Sequence, residues 1–170
     1  MNKHKEIKVE KITFNIGAGK STDKLEKGLK LLEMLTGAKP VKTVTNKRIA
    51  GWGLRPGVPI GCKVTIRGGK ANELLKQMLG AVDNKLEEKQ FDNEGNIAFG
   101  IKEYIDIPGV EYQPEIGVIG FQVCVTLSRP GFRIKRRRLQ TKKLKGNHKI
   151  TKEDSIGFMK QNFNVIFEEE

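Results

Sequence analysis

The stretch Thr13-Phe14-Asn15-Ile16-Gly17-Ala18-Gly19-Lys20-Ser21 sets a lysine and a serine behind two glycines, the residue types that a nucleotide hydrolase uses to cradle phosphate. A Walker A loop needs a further glycine five positions before the glycine of its Gly-Lys-Ser, because that residue turns the backbone N–H groups around the phosphate. Phe14 stands there instead. A hydrolase of this kind also needs a magnesium-holding carboxylate after a second apolar strand. The best apolar strand, GVIGFQVCVTLSRPG, runs into Ser128-Arg129-Pro130. An RNA-dependent NTPase using GAGKS is therefore the minor alternative. The carboxylates from Asp83 to Glu94 have no histidine or activated nucleophile beside them and read as solvated charge, so we expect no enzyme. Cys62 and Cys124 lie far apart on strand-like segments and read as reduced thiols. His4 and His148 form no close ligand pair, and His148 in KGNHK reads as a solvated loop histidine. Neither a metal nor a cofactor is expected.

The charge is more informative. The chain has 170 residues and a net charge of +12, with enough apolar content for a folded domain, and that balance points to a polyanionic partner. Between Glu33 and Glu73 no acid occurs, while Lys39, Lys42, Lys47, Arg48, Arg55, Lys63, Arg67 and Lys70 do. Between Glu115 and Glu153 the pattern recurs with Arg129, Arg133, Lys135, Arg136, Arg137, Arg138, Lys142, Lys143, Lys145, Lys149 and Lys152. Evenly solvated surface charge would mix the two signs. Acid-free windows instead gain affinity for phosphates by counterion release. A membrane surface would call for bulky apolar residues opposite the basic ones, and the segment from Arg133 to Lys149 has few. Nucleic acid is favoured, and a chromatin-type protein without RNA preference is a further alternative. MNKHKEIKVEK has no apolar stretch of the kind a signal peptide needs, so a soluble cytoplasmic protein is expected.

The elements that must position these residues follow from periodicity. Val9, Ile12, Phe14 and Ile16 give a first strand. Leu25, Leu29, Leu32 and Leu35 give a helix over about 22–36, stopped by Gly37 and Pro40. PVKTVT and GCKVTIRG alternate as strands around the glycine- and proline-rich excursion NKRIAGWGLRPGVPI. Leu75, Leu79, Val82 and Leu86 predict a second helix from about Ala71 to Lys89. The stretch from Phe91 to Gly117 reads as turns, Val118 to Leu127 as a buried strand, Thr151 with Asp154 as the cap of a short helix to about Gln161, and FNVIF as a last strand. Hairpin-connected strands with two long helices predict a two-layer α+β domain over residues 1–170, with helices on one face of a mainly antiparallel sheet and loops projecting at about 46–60 and 129–149.

The succession VEKITFNIGAGKS, LLEMLTGAKPVKT, IAGWGLRPGVPIGCKVTIRG, FDNEGNIAFGIKE and VTLSRPGFRIKRRR, in this order and spacing, resembles the large-subunit ribosomal protein L-five family, archaeal type, over nearly the whole chain. The resemblance implies a non-enzymatic constituent of the ribosome that binds 5S rRNA and large-subunit rRNA, anchors 5S rRNA in the central protuberance, and meets neighbouring protuberance proteins, a small-subunit head protein and P-site tRNA. It implies RNA contact by Asn15 and Thr65, with Lys42, Lys47, Arg48, Lys63 and Arg67 of the first basic window as further 5S rRNA candidates. A third family position, commonly glutamine, is Ala38 here. The loop carrying Leu54, Arg55, Pro56 and Gly57 matches the one that projects toward tRNA, and Arg129, Arg133, Lys135, Arg136, Arg137, Arg138, Lys142 and Lys143 match the rRNA-binding arm. Trp52, the single tryptophan, is expected to cap the core.

Overall fold

The computed structural model describes residues 3–168. Strand β1 (Lys8–Gly17) turns Ile12, Phe14 and Ile16 inward and Lys11, Thr13 and Asn15 outward, as its alternation predicts. The GAGKS turn then starts helix α1 (Thr22–Thr36), with the Ser21 hydroxyl accepting from Lys24 N. Gly37 ends the helix in the left-handed region, and its N–H donates to Glu33 O. Lys70 Nζ adds a 2.6 Å bond to Thr36 O, so this member of the first basic window caps a helix.

Strands β2 (Val41–Val44) and β3 (Pro59–Arg67) follow, then helix α2 (Gly69–Gly80). Helix α2 stops well short of the expected Lys89. Asp83 and Asn84 adopt positive φ, Asn84 N donates back to Leu79 O, and Lys85–Glu87 is strand β4. The spacing of Val82 and Leu86 mimics a helix, but short polar side chains admit the left-handed conformation that ends one. A second correction is strand β5 (Ile97–Ile101), within the stretch read as turns. It pairs with β6 (Phe121–Ser128), which begins later than Val118. Beyond a short helical turn, α3 (Arg133–Arg136), helix α4 (Lys152–Phe163) opens on the expected Thr151/Asp154 capping box. The last strand, β7 (Ile166–Glu168), pairs parallel with β4 in a separate two-stranded sheet.

The main sheet has the order β2-β3-β1-β6-β5 and is antiparallel throughout. Helices α1 and α2 cover one face against β1 and β3, as an α+β two-layer fold requires. At Gly28 the helix comes so close that a Cβ would lie 3.1 Å from Cys62 Sγ. Burial there pushes the Cys62 thiol up to about 11, which leaves it neutral and inert at ordinary pH. Phe14 meets Phe121 edge-on at 5.9 Å, and the apolar cluster runs without interruption from Ile12 to Val165.

Candidate nucleic-acid interface

An antiparallel sheet covered on one face leaves the other to solvent. Residues directly opposite in neighbouring strands share a face, so the register assembles the open side row by row. Val41, Lys63, Asn15, Gln122 and Gly100 form one row; Thr65, Thr13, Cys124 and Ala98 form the next; Arg67, Lys11 and Thr126 form the third. None of these positions carries a carboxylate. Asn15 and Thr65 therefore stand on adjacent strands of one surface, flanked by Lys63, Arg67 and Lys11. Thr65 and Thr13 share a hydroxyl–hydroxyl bond of 3.2 Å, which fixes both side chains while leaving lone pairs for a ligand. Lys42 is not brought into this group: its partner is Cys62, so it belongs to the helix side of the edge strand, although it is exposed. Lys47 and Arg48 lie exposed in the loop after β2. Ala38 is half-buried against the core.

Sequence reasoning missed the part of this face contributed by β5 and β6. Asn15, Gly17, Gly100 and Gln122 line a recess of about 410 Å³. A Cβ at Gly100 would meet nothing within 4 Å. A strand-interior glycine costs roughly 0.5–1 kcal/mol, and where internal packing does not demand it, close approach of a ligand is a usual reason.

The GAGKS turn does not have the open form of a phosphate cradle in this arrangement. Ala18 N and Gly19 N both donate to Ile60 O, at 2.9 and 3.0 Å, Ser21 caps α1, and the Lys20 side chain lies against Gly53. Ala18 N and Gly19 N, which a phosphate cradle would leave free, are thus already paired.

The loop between β2 and β3 is held by its own hydrogen bonds. Ile49 and Leu54 pair across its tip, and Gly57 N and Thr45 N close its base on Thr45 O and Val58 O. This places two residues differently from expectation. Leu54 is buried and anchors the loop, so it offers nothing to a partner. Trp52 does not cap the core: it stands 67% exposed beside Arg55, Pro56 and Gly57, because the left-handed Gly53 turns the tip outward.

The basic arm likewise has an organised base. Arg129 is not on its surface; its side chain is 9% exposed, with Nη1 donating to Lys149 O and Nη2 to Asp154 Oδ2. His148 is no free loop histidine, since Nε2 bonds Pro130 O at 2.8 Å and the ring meets Phe132 edge-on. Above these anchors Arg133, Lys135, Arg136, Arg138, Lys142 and Lys143 are exposed and Arg137 is half-buried. Arg136 pairs with Glu10 at the bulge of β1, which ties the arm to the end of the sheet.

Residues 2–55 match the family described as ribosomal protein L5, and residues 59–158 match the model for the C-terminus of the same ribosomal family. The chain is similar to proteins named large ribosomal subunit protein uL5. That of Methanosphaera stadtmanae is 48% identical over 160 residues, covering 94% of this chain and 95% of the relative. That of Sulfurisphaera tokodaii is 45% identical over 170 residues, with 99% and 96% covered, and that of Nanoarchaeum equitans is 48% identical over 162 residues, with 95% of each covered.

Proposed function

The chain belongs to the ribosomal protein L5 family of the large ribosomal subunit, and from that premise we propose that it binds 5S rRNA on the open face of its sheet and anchors it in the central protuberance. The observation that carries the reading is the carboxylate-free surface on which Asn15, Thr65, Lys63 and Arg67 come together. A short amide and a hydroxyl between lysine and arginine can meet ribose hydroxyls, base edges and phosphates in one footprint. The arm, with its eight basic residues between Arg133 and Lys145, extends the contact to large-subunit rRNA. The loop tip with Arg55, Pro56 and Gly57 faces P-site tRNA. Neighbouring protuberance proteins and a small-subunit head protein complete the set of partners.

Two expected results test the sheet. Asn15→Ala and Thr65→Ala should each weaken 5S rRNA binding by roughly fivefold, about 1 kcal/mol. Both are half-buried at most, so thermal unfolding should hardly change. Unchanged affinity in both variants would remove them from the site. Gly100→Val should weaken the same RNA by about tenfold, because the new side chain stands where the ligand must approach. It should leave the fold as stable or slightly more so, since valine suits a strand better than glycine. Full RNA affinity in a folded Gly100→Val protein would show that nothing comes close to that row.

A further inference from the structure

The arm builds a second feature that the sheet reading does not use. Strand β6 ends at Ser128, and Pro130 with the left-handed Gly131 (φ +97°) turns the chain out of the sheet. The bonds of Arg129 to Lys149 O and of His148 to Pro130 O draw the two ends of the arm together. Between them lies a recess of about 370 Å³, within the range of small-ligand pockets. Phe132, Leu144 and the buried Ile150 supply its apolar lining, and Lys135, Lys143 and Lys149 its cationic rim. Glu94, the one acid there, is already taken by Lys135 at 3.1 Å. Lys143 and Lys149 have no ion-pair partner among the described residues.

Such a site asks for a flat apolar group that carries negative charge at its edge. We infer that this recess takes one unstacked nucleotide of ribosomal RNA, its base against Phe132, Leu144 and Ile150 and its flanking phosphates at Lys143 and Lys149. Proteins read RNA chiefly at bases splayed out of the helix onto apolar and aromatic side chains, and lysines beside them hold the backbone. The apolar lining beside the lysines favours a nucleotide, which brings a flat base together with its phosphates, over a lone acidic side chain of a neighbouring protein. Arg133, Arg138, Lys142 and Lys145 are exposed in the same acid-free stretch of chain, which suits a ligand that continues as a phosphodiester chain. This inference rests on the RNA-binding reading but concerns a surface separate from the open sheet face.

The test uses the full chain with methyl-labelled isoleucine and leucine, titrated with adenosine 5′-monophosphate, ribose 5-phosphate and a short glutamate-rich peptide, alongside 5S rRNA binding. Adenosine monophosphate should shift the Leu144 and Ile150 methyls saturably. Ribose 5-phosphate, lacking the base, should bind at least tenfold more weakly. Leu144→Glu and Lys149→Glu should each weaken the mononucleotide at least tenfold while 5S rRNA still binds the sheet. Two variants are needed because Leu144 is half-buried and Lys149 is exposed: a fold defect in the first leaves the second to decide. Absence of methyl shifts, equal binding of the base-free sugar phosphate, or a response to the peptide alone would each overturn the nucleotide site. Any of these with 5S rRNA binding intact would leave the proposed function standing. Failure of the wild-type protein to bind 5S rRNA would overturn that function instead.

Discussion

Arg129→Ala is expected to lower the unfolding free energy by about 3 kcal/mol and to loosen the basic arm, although Arg129 itself is buried beneath that arm. Its guanidinium joins three elements: the end of β6, the carbonyl of Lys149 where the arm returns, and Asp154 in the first turn of α4. Alanine leaves the Lys149 carbonyl without its donor and Asp154 without its counter-ion. Asp154 is 38% exposed and keeps its bonds to Thr151 N and Thr151 Oγ1, so water and the capping box recover part of the loss. Among the described residues Arg129 Nε has no partner, so its removal also relieves one buried, unsatisfied donor. These offsets hold the cost toward the lower end of the range for broken buried pairs, roughly 3–5 kcal/mol. Arg129→Lys should recover only part of the stability, because an ammonium cannot present two parallel donors in a fixed fork. Urea unfolding decides the matter, with Arg138→Ala as the exposed control. If Arg129→Ala unfolded at the same midpoint as Arg138→Ala, the arm would not depend on this anchor.

The same residue shows why parts of the site were hidden in the sequence. Arg129 begins a run of basic residues and by type is indistinguishable from Arg138, yet one lies under the arm and the other on it. Burial of a single side chain depends on what the rest of the chain places around it, here Asp154 from a helix 25 residues later. Trp52 and Leu54 exchanged their expected roles for the same reason: the cross-loop pair of Ile49 and Leu54 buries the leucine, and the turn at Gly53 exposes the tryptophan. Where a signal is local and repeated, the reading held. The alternation of Ile12, Phe14 and Ile16 set the facing of β1 and so put Asn15 outward, and Gly37 and Thr151 marked helix ends by hydrogen bonds within a few residues. Strand β5 has the same alternation in Ile97, Phe99 and Ile101, but five residues containing a glycine among turn signals carry little weight. The parallel pairing of β4 with β7 joins segments about eighty residues apart, and no local pattern encodes it. Thus the half of the open sheet face built from β1 and β3 was legible, and the half built from β5 and β6 needed the register.

The arm's contribution to binding should appear in salt dependence rather than in any one affinity. For each phosphate neutralised, log affinity falls against log salt with a slope of roughly 0.7 to 0.9. Replacing Arg136, Arg137 and Arg138 together by alanine is expected to flatten the slope by between about one and two, not by the full three contacts. Arg138 is exposed and has no ion-pair partner among the described residues. Arg137 gives Nε to Gln140 O at 2.9 Å, which leaves its other donors free. Arg136 is paired with Glu10, so a phosphate must displace or share it with a carboxylate. Glu10→Gln isolates that competition: it should steepen the slope of the otherwise unaltered protein by up to about 0.9. A slope change of two corresponds to roughly a sixteenfold difference in affinity between 0.05 and 0.2 M salt, large against ordinary binding error. Titrations should use free 5S rRNA and also large subunits depleted of this protein, since the arm can meet large-subunit rRNA only in the second. Binding should weaken for all RNAs alike, because phosphates carry no sequence. If the triple variant kept the wild-type slope on both substrates, the arm would be solvated charge, and the RNA-binding surface would contract to the open face of the sheet.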